Sequence, residues 1–576
     1  MQLGKLLLLP LLPLDARARA ACVCRAWRTA AAHPLLWQEL SFERCFATVN
    51  DATLMSLCAR AGAALRTLSL DAGACWGVTP AGMVAALRDG GCFGLRRFDA
   101  LVAQLATSPF QKRRELTAQE VQELAAACPM LQHAACAVQC TVEDAAAAST
   151  ALPGPLKLTC FHENSHVGMM QLSECLRRNV ALASLELIAY TFLEEDLTHL
   201  AECLRFNTML TSLAIMNCNV GVWGATQLAE CLRVNTTLTH LNLLESNICD
   251  EGLTPLAESL RFNATLTSLY LEVNSIGSVG ATQLAQTLRV NTTLTTLNLG
   301  ENDIGDEGAA QLSSCLLFNT TLTSLSLERN GIGAEAAVQL ADCMRANVTL
   351  TNLNLGSNDF GDAGVSQLAE CLRVNPTLTI LDLTQNGIGV EGVTQLADSL
   401  RVNTTLTLLN FNHNRIGDEG AKQLVECMRI NATLTSLELY SDDIRAEGAV
   451  HLAECLRVNT TLTHLDLSEN GIGDAAAAQL AESLRVNATL TSLNLNYIGF
   501  GGEGATALAE GLRDNVTLIT LHLRGNNIGD AGATQLATGL RLNTTLASLD
   551  LRDTGIGDEG KRALCAVVPP QCRLRM

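Results

Sequence analysis

The chain has 576 residues, of which 48% are apolar and 17% charged, so it is too rich in apolar residues to be a disordered protein. Its formal net charge is −19, which argues against a nucleic-acid-binding protein, because such proteins need clustered Lys and Arg. Residues 1–155 carry 14 basic and 12 acidic side chains, so the acidity lies in residues 156–576. No apolar run reaches the roughly 18 residues that span a bilayer, and no membrane partner is expected.

The first 45 residues form a short apolar segment with helical spacing. Residues 6–12 predict one helix, and residues 15–32 predict a second helix in which Val23 and Trp27 share a side. A turn is expected after Pro34. The segment is therefore expected to form a small α-helical module with one apolar side.

This segment resembles the F-box, the short helical module by which substrate receptors bind the Skp adaptor of cullin-type ubiquitin ligases. The resemblance rests on Leu11-Leu12-Pro13, Asp15, Arg19, Val23-Cys24-Arg25-x-Trp27 and Pro34-x-Leu36-Trp37. The resemblance implies that a Skp-type adaptor binds the apolar side of the segment. The residues expected to bind the adaptor are Leu8, Leu9, Leu12, Pro13, Val23, Cys24, Trp27, Leu36 and Trp37.

Residues 46–155 are less regular than the rest of the chain. The spacing of Leu65 and Leu68, and later of Leu156 and Leu158, is typical of short strands, and residues 117–128 predict a helix. Residues 108–115 are expected to form a loop. We interpret this stretch as divergent copies of the repeat that follows it.

From Leu182 onward the sequence repeats itself every 28 residues, fourteen times. In the copy that covers residues 294–321, the first third alternates between apolar and polar residues and predicts a strand. The later part predicts a helix, because Ala309, Leu312 and Leu316 recur at helical spacing. Each copy therefore contributes one strand and one helix.

The pattern L-x-x-L-x-L-x-x-N resembles the leucine-rich repeat, and the length of 28 residues with a full helix is similar to the ribonuclease-inhibitor subtype. Parallel strands stack about 4.8 Å apart whereas packed helices need about 8 to 10 Å, so the stack is expected to curve. The sequence thus predicts an α/β leucine-rich-repeat solenoid, a horseshoe with a parallel sheet inside and helices outside. The expected domains are a helical F-box-like module at 1–45, irregular repeats at 46–155, and regular repeats with a C-terminal cap at 156–576.

Polar residues recur at three boundaries of each repeat. An Asp at the helix start is expected to cap its own helix, and an Asn at the helix end is expected in the left-handed conformation. An Asn after the strand predicts a ladder of side-chain amides, with an irregularity where Ile498 replaces it. The helix-start residues are Asp306, Asp362, Asp418, Asp474, Asp530 and Asp558, and the ladder residues are Asn274, Asn302, Asn330, Asn358, Asn386, Asn414, Asn470 and Asn526.

The leucines before Leu14 also fit a secretory signal, and two observations oppose that interpretation. Eleven N-x-[ST] triplets from Asn235 to Asn543 share one repeat position, where glycans would crowd each other. Eight Cys share one helix column, where neighbours are expected about 8 to 10 Å apart, beyond the roughly 7 Å limit for a disulfide. We therefore expect reduced thiols and a cytoplasmic protein, or a nuclear one if residues 112–114 act as a nuclear signal. The column contains Cys175, Cys203, Cys231, Cys315, Cys343, Cys371, Cys427 and Cys455.

Two motifs resemble nucleotide and metal sites but lack their chemistry. Residues 555–562 come within one residue of a phosphate loop, but Asp558 and Glu559 would repel phosphate and Arg562 lacks the hydroxyl that binds magnesium. The paired spacing of a zinc site is not met by Cys128, His133, Cys136 and Cys140. We expect no enzyme, no cofactor and no metal.

The strand residues that point away from the helices are the expected partner-binding surface. Eleven acidic residues and three basic ones fall on this face, which favours a basic target surface. The simpler alternative is that the acids are solvated and only keep the sheet soluble. The candidate residues are Glu186, Tyr270, Glu272, Glu328, Asp382, Glu438, Tyr440, Asp466, Tyr497, His522 and Arg524.

Three functions fit these patterns. The first is the substrate receptor of a Skp/cullin/F-box ubiquitin ligase, which acts by bringing its target close to the conjugating enzyme. The second is a ligase-independent binding protein, similar to ribonuclease inhibitor or to the arrays of NOD-like receptors. The third is a Ran GTPase-activating protein, which shares this repeat subtype, although no catalytic Arg of that family can be matched and residues 573–576 are not an acidic tail.

Overall fold

The computed structural model describes residues 39–41, 51–61, 65, 67–69, 80–89, 92–93, 95–100, 116–128, 133–140, 156–161, 166–178, 182–568 and 572–576. The chain divides into two compact units. The first contains residues 1–247 and 258–267, and the second contains residues 248–257 and 268–576. The predicted helices of the first module, the loop at 108–115 and residues 112–114 lie outside the described residues. So do the predicted adaptor-binding residues Leu8, Leu9, Leu12, Pro13, Val23, Cys24, Trp27, Leu36 and Trp37. The predicted domain boundaries near 45 and 155 stay predictions.

The first unit contains parallel strands that pair in chain order, except that the short strand β4 pairs with β5 beside β3. The strands are β1 Glu39–Ser41, β2 Thr67–Ser69, β3 Arg97–Ala100, β4 Leu116–Thr117, β5 His133–Cys140, β6 Leu156–Phe161, β7 Leu182–Ile188, β8 Ser212–Met216 and β9 His240–Asn242. The helices are α1 Asp51–Ala61, α2 Pro80–Asp89, α3 Ala118–Ala127, α4 His166–Arg177, α5 Glu194–Leu204 and α6 Gly221–Leu232. The strands predicted near Leu68 and Leu156 and the helix predicted at 117–128 are confirmed.

The second unit repeats one strand and one helix, and its strands pair in parallel with a register of 28 residues up to β20. The strands are β10 Ser268–Tyr270, β11 Thr296–Asn298, β12 Ser324–Ser326, β13 Asn352–Asn354, β14 Ile380–Asp382, β15 Leu408–Asn410, β16 Ser436–Glu438, β17 His464–Asp466, β18 Ser492–Asn494, β19 Thr520–His522, β20 Ser548–Asp550 and β21 Arg573–Arg575. The helices are α7 Cys249–Leu260, α8 Ser278–Leu288, α9 Gly305–Leu316, α10 Ala334–Ala346, α11 Gly361–Leu372, α12 Val390–Leu400, α13 Gly417–Met428, α14 Ala446–Leu456, α15 Gly473–Leu484, α16 Gly502–Asp514, α17 Gly529–Leu540 and α18 Asp558–Val567.

The core lies between the strands and the helices, and the repeating leucines fill it. In a typical repeat Leu297 and Leu299 on the strand and Leu312 and Leu316 on the helix are at most 1% exposed. Their burial supplies the main stabilising free energy, at about 25 cal/mol per Å² of apolar surface. The predicted α/β leucine-rich-repeat solenoid, with parallel strands alternating with helices, is confirmed in each unit.

Seven of the eight cysteines of the helix column are buried, as the small size of the thiol allows, and Cys175 is half-buried. In the described residues these cysteines are free of disulfides. Burial raises the pKa of Cys231 and of Cys371 to about 12, so both remain protonated and unreactive at neutral pH. The prediction that this column packs as small core residues rather than as disulfide bridges is confirmed for the described residues.

The asparagine after each strand connects neighbouring repeats, as predicted. The Nδ2 of Asn302 donates to the carbonyl oxygens of Leu271 and Leu299, each at 2.9 Å. Its Oδ1 accepts from the backbone N–H of Asn274 at 2.9 Å and of Ile276 at 3.0 Å. These backbone groups belong to the bend after the strand, where no strand pairing satisfies them. One buried amide therefore serves the backbone of two successive repeats.

Cys218, Ser246, Asp442, Ile498 and Thr554 replace this asparagine, and two of them show different results. The carbonyl of Ile498 keeps the backbone bond of the bend, since it accepts from Gly473 N–H at 3.0 Å as the carbonyl of Asn330 does from Gly305. The amide ladder is locally altered there, as predicted, because Asn526 Oδ1 accepts from Gly499 N–H at 3.1 Å, whereas Asn302 Oδ1 accepts from Asn274 N–H and Ile276 N–H. Asp442 is fully buried and accepts from Asn414 N–H at 2.7 Å through Oδ1, while its Oδ2 has no partner.

The asparagine at each helix end is extended rather than left-handed, which corrects the sequence-based prediction. Asn347 has φ −72° and ψ 131°, and Asn515 has φ −77° and ψ 134°. The reason is a second inter-repeat bridge, in which Asn319 Nδ2 donates to the carbonyl of Leu288 at 2.7 Å and Oδ1 accepts from Leu322 N–H at 2.7 Å. The eleven N-x-[ST] asparagines are buried in this role.

The aspartate at the helix start caps the helix of the next repeat, not its own, and this also corrects the prediction. Asp306 begins α9, but its Oδ1 accepts from Gly333 N–H at 2.7 Å and from Ala336 N–H at 3.4 Å at the start of α10. Its own helix begins after Ile304, whose helical φ of −65° and ψ of −39° lack the extended geometry of a capping residue. The same bridge is made by Asp250, Asp362, Asp418, Asp474 and Asp530.

These aspartates recur every 56 residues, so the second unit alternates two kinds of repeat. Where the aspartate occurs, the helix begins with a residue at positive φ, which is a glycine such as Gly305 at 60° except in α7, where it is Cys249 at 55°. In the intervening repeats the helix follows an extended residue, such as Gly333 with φ −103° and ψ −170°. The last predicted cap, Asp558, belongs to an intervening repeat.

Asp530 and Asp558 provide a matched test of capping across repeats. Asp530 accepts from Gly557 N–H at 2.8 Å and Gly560 N–H at 2.9 Å, both at the start of α18. We expect Asp530→Ala to weaken helix α18 by about 1 kcal/mol, which is roughly a fivefold to tenfold loss of protection in hydrogen–deuterium exchange. Asp558→Ala is the control and should change the protection of α18 less than twofold. Equal losses of protection in the two variants would instead support the prediction that Asp558 caps its own helix.

Asp442 makes the stability of the protein depend on pH. Burial raises the pKa of Asp442 to about 8, and Asp443 adds to the rise. The folded state therefore holds a proton that the unfolded state releases near pH 4, so stability declines as the pH rises from about 4 to about 8. We expect Asp442→Asn to raise the free energy of unfolding by roughly 2 to 4 kcal/mol at pH 8.5 and by much less at pH 5, measured by urea denaturation. Asp443→Asn, at the exposed neighbouring residue, is the control. If Asp442→Asn raised the free energy of unfolding equally at both pH values, the raised pKa of Asp442 would be refuted.

Candidate functional site

The open face of the second unit consists of the strand residues that point away from the helices, together with the second and third residues after each of them; the residue in between is buried. One member of each strand lies in a central column, and the register places Tyr270 beside Asn298, Asn298 beside Ser326, and so on along the sheet. Most of these side chains are half-buried between their neighbours. The column is therefore a surface of fixed spacing whose residue types can vary without a change in the core.

The carboxylates on this face hold amides of the neighbouring strands. Glu328 accepts from Asn354 Nδ2 at 3.1 Å, and Asp382 accepts from Asn410 Nδ2 at 2.8 Å. Asp466 repeats the arrangement with Asn494 Nδ2 at 2.6 Å and also accepts from the backbone N–H of Ser468 at 2.8 Å. These acids are thus ordered members of a hydrogen-bonded network and not only solvated side chains.

Burial and the neighbouring acids make negative charge in this network unfavourable. Burial raises the pKa of Glu272, and Glu301 and Glu328 add to the rise. Glu272 accepts from the Asn298 amide through Oε1, while its Oε2 is buried without a partner. Burial also raises the pKa of Glu438, and the negative charge of Asp466 adds to the rise. A cationic group on this part of the face would relieve the repulsion among the acids.

An aromatic and basic cluster lies toward the C-terminal end of the same face. The Arg524 guanidinium carbon lies 5.7 Å from the ring centre of Tyr497, which is 42% exposed. Arg524 Nε also donates to Asp553 Oδ2 at 2.8 Å, and Arg552 Nε donates to Asp550 Oδ1 at 2.9 Å. Tyr and Arg are the residue types that most often dominate binding at protein interfaces.

Two further ionisable residues lie on the same face. Burial lowers the pKa of His522, and Asp550 offsets this only in part, so the imidazole is neutral at physiological pH. The ring of Tyr440 packs edge-on against His413 with their centres 4.5 Å apart. Burial and a hydrogen bond to Glu469 raise the pKa of Tyr440. His522 and Tyr440 therefore offer uncharged hydrogen-bonding groups beside the charged side chains of the face.

The first unit holds the remaining candidate. Glu186 lies on β7, is only 8% exposed and pairs in register with Ala214 of β8. Beside it, the sheet face of this unit carries apolar residues such as Ile188 and Met216 rather than acids. Glu186 therefore belongs to the first unit, whereas the other candidate carboxylates belong to the second.

The sequence places the amides between the acids and the second arginine of the cluster on this face, but it did not predict their contacts. Asn298, Asn354 and Asn410 recur every 56 residues, a period that the sequence displays and that could have indicated a shared role. Arg552 brings the pKa of Asp550 below its usual value despite the opposing effect of burial. Its pairing depends on side-chain geometry that no sequence pattern reports.

The described part of the chain contains an open groove but no group of candidate metal ligands. None of its His, Cys, Asp and Glu residues form a group that could hold a metal ion. None of its helices combines the length and apolar character of a membrane span. An open groove of about 590 Å³ runs beside the strand ends in the second unit, and its lining includes Ser357, Gln385, His413 and Arg415.

Comparison with known proteins found several solved structures with limited likeness, and no curated protein matched. Leiomodin-1 actin-binding site 2 is 27% identical, over 26% of this chain and 86% of that chain, with a TM-score of 0.24. An internalin from Listeria monocytogenes is 20% identical (65% and 88% covered, TM-score 0.36), and the Rad7 and Elc1 complex of yeast is 18% identical (71% and 88% covered, TM-score 0.39). At these values no activity or partner transfers to this chain.

Two family models match the sequence. The F-box-like model matches residues 6–43. The Leucine Rich repeat model matches ten segments, all of them C-terminal to the F-box-like match. These segments are 234–257, 290–313, 318–341, 346–369, 374–397, 402–425, 458–481, 486–509, 514–537 and 542–565.

Proposed function

This chain matches an F-box/leucine-rich-repeat protein, and on that premise we propose that it is the substrate-recognition subunit of a Skp/cullin/F-box ubiquitin ligase. The observation that carries the proposal is the F-box-like match at residues 6–43 on the same chain as a long repeat surface. In this proposal residues 6–43 bind the Skp-type adaptor, and the adaptor joins the chain to the cullin. The protein acts in the cytoplasm or the nucleus.

The mechanism is proximity rather than chemistry by this chain. Both matched families are interaction modules, and the protein is not an enzyme in this proposal. Holding a target near the conjugating enzyme raises its effective concentration to the order of millimolar, which makes transfer of ubiquitin fast without any catalytic group on the receptor. The target is held on the open face of the second unit.

The charges of the open face indicate the kind of target. Between Glu272 and Glu469 the face is acidic, and Arg329 is compensated by Glu301 at 3.6 Å. A target segment with Lys or Arg side chains fits this part of the face, and its charge would also speed association. The cluster around Tyr497 and Arg524 supplies the anchor, where an acidic or apolar side chain of the target binds. The target is thus a protein segment with a basic stretch.

Adaptor binding is the first test of this proposal. We expect immobilised Skp adaptor to retain the full chain, and we expect Val23→Asp and Trp27→Ala to reduce retention at least tenfold, because large apolar residues at the centre of an interface dominate its affinity. Trp223→Ala provides a matched control, since Trp223 lies on α6 and is 50% exposed. This variant should be retained like the wild type. Failure of the wild-type chain to bind would refute the ligase role and leave a ligase-independent binding protein.

Target binding is the second test and uses the cluster on the open face. We expect Tyr497→Ala and Arg524→Ala to keep adaptor binding but to reduce the amount of co-purified ubiquitylated protein at least tenfold, measured by quantitative mass spectrometry after proteasome inhibition. The ion pair of Arg524 is exposed, so its loss should cost less than about 1 kcal/mol of stability. Arg541→Ala, which removes an exposed arginine at the end of α17, is the control. An unchanged set and amount of ubiquitylated proteins for both face variants would place the target elsewhere.

A further inference from the structure

A row of exposed apolar side chains follows the ends of the helices in the second unit, and we call it the apolar ridge. Each member directly precedes the buried asparagine of the helix end. The exposed fractions lie between 52% and 63%, whereas the leucine three residues before the asparagine is buried. The members are Val290, Phe318, Val374, Val402, Ile430, Val458, Val486 and Leu542.

The two repeats that lack a ridge residue expose a different apolar side chain close to the same position. Ala346 and Asp514 occupy the ridge position in these repeats. In both, a valine directly follows the asparagine, and Val348 and Val516 are 62% and 71% exposed. Elsewhere in the second unit that position holds Thr, Ala or Pro. An exposed apolar side chain is thus maintained at this edge in every repeat.

Packing within the repeat does not explain the ridge. Asp514 shows that the backbone accepts a polar residue at this position, and Asn515 beside it keeps its bond to the Leu484 carbonyl at 2.7 Å. Monomeric soluble proteins rarely expose a continuous apolar row of this length, because the exposed surface costs free energy and favours association. The ridge therefore points to a surface that is covered when the protein functions.

Opposite charges flank the ridge and largely compensate each other. An arginine directly precedes most of its members, and an acid commonly lies three residues before that arginine, as in the ion pairs Asp398–Arg401 at 3.7 Å and Glu482–Arg485 at 3.1 Å. The guanidinium of Arg289 also lies 5.1 Å from the ring centre of Phe318. This balance does not suit an anionic membrane, which attracts a uniformly basic surface. It suits a partner with the same alternation of charges.

We propose that the apolar ridge is the contact between two copies of this chain, related by a two-fold axis with the ridges antiparallel. Such an axis brings apolar rows together and places the arginines of one copy near the acids of the other, so one surface complements itself. Ten half-exposed side chains at roughly 80 Å² each give about 800 Å² per copy, which is the area that a stable interface buries. The dimer forms independently of residues 6–43 and of the ligase role.

The test is the mass of the full chain in solution by analytical ultracentrifugation between 1 and 50 μM. We expect the wild type to have twice the monomer mass of 61.3 kDa. The double variant Val402→Glu and Val458→Glu should be monomeric, with a dissociation constant at least 100-fold higher, while circular dichroism shows an unchanged fold. The matched control is Val279→Glu with Val338→Glu near the helix starts, where the valines are 62% and 44% exposed. The control should remain dimeric.

Two results would overturn the proposal. The first is a monomeric wild type at 50 μM. The second is a dimer that the ridge variant and the control weaken equally, which would place the contact elsewhere. Neither result depends on the adaptor, so the ligase proposal can stand or fall separately.

Discussion

Buried side chains that bridge successive repeats are the interaction on which the rest of the second unit depends. The strands of each repeat are only three residues long up to β20, so most backbone groups between strand and helix have no partner in a sheet. Asn302, Asn319 and Asp306 each satisfy such groups in a neighbouring repeat. Leaving one of these groups unpaired would cost about 1 to 3 kcal/mol, so a repeat is stable only beside the next one.

The same bridges fix the register of the open face. Because each amide joins residues 26, 28 and 31 positions away, neighbouring strands cannot slip relative to each other. The carboxylates of the face then meet amides at constant spacing, as Asp382 meets Asn410 and Asp466 meets Asn494. A surface ordered in this way pays little conformational entropy when it binds a partner. Its residue types can vary for recognition, whereas Asp442 shows what a change in the bridge itself costs.

The sequence predicts the strands, the helices and the buried leucines of the second unit because these follow from local periodicity. It does not predict which helix an aspartate caps, since that depends on dihedral angles at the helix start. Gly305 has positive φ and Gly333 is extended, although both are glycines in the same part of the repeat. On the open face the strand pattern places Glu328 and Asp466 beside amide residues, but it does not indicate that each accepts a bond from the amide of a neighbouring strand. Those contacts arise only when two repeats stack.

The open face and the apolar ridge use different atoms of the same repeat, and this separation has a consequence for binding. The face consists of residues on and just after the strand, such as Tyr497, while the ridge consists of residues after the helix, such as Val486. A dimer through the ridge leaves both open faces available. Two faces on one particle raise the effective concentration of the second site to the order of millimolar for a target with two basic segments. Weak binding at each face then suffices for tight and selective capture of such a target.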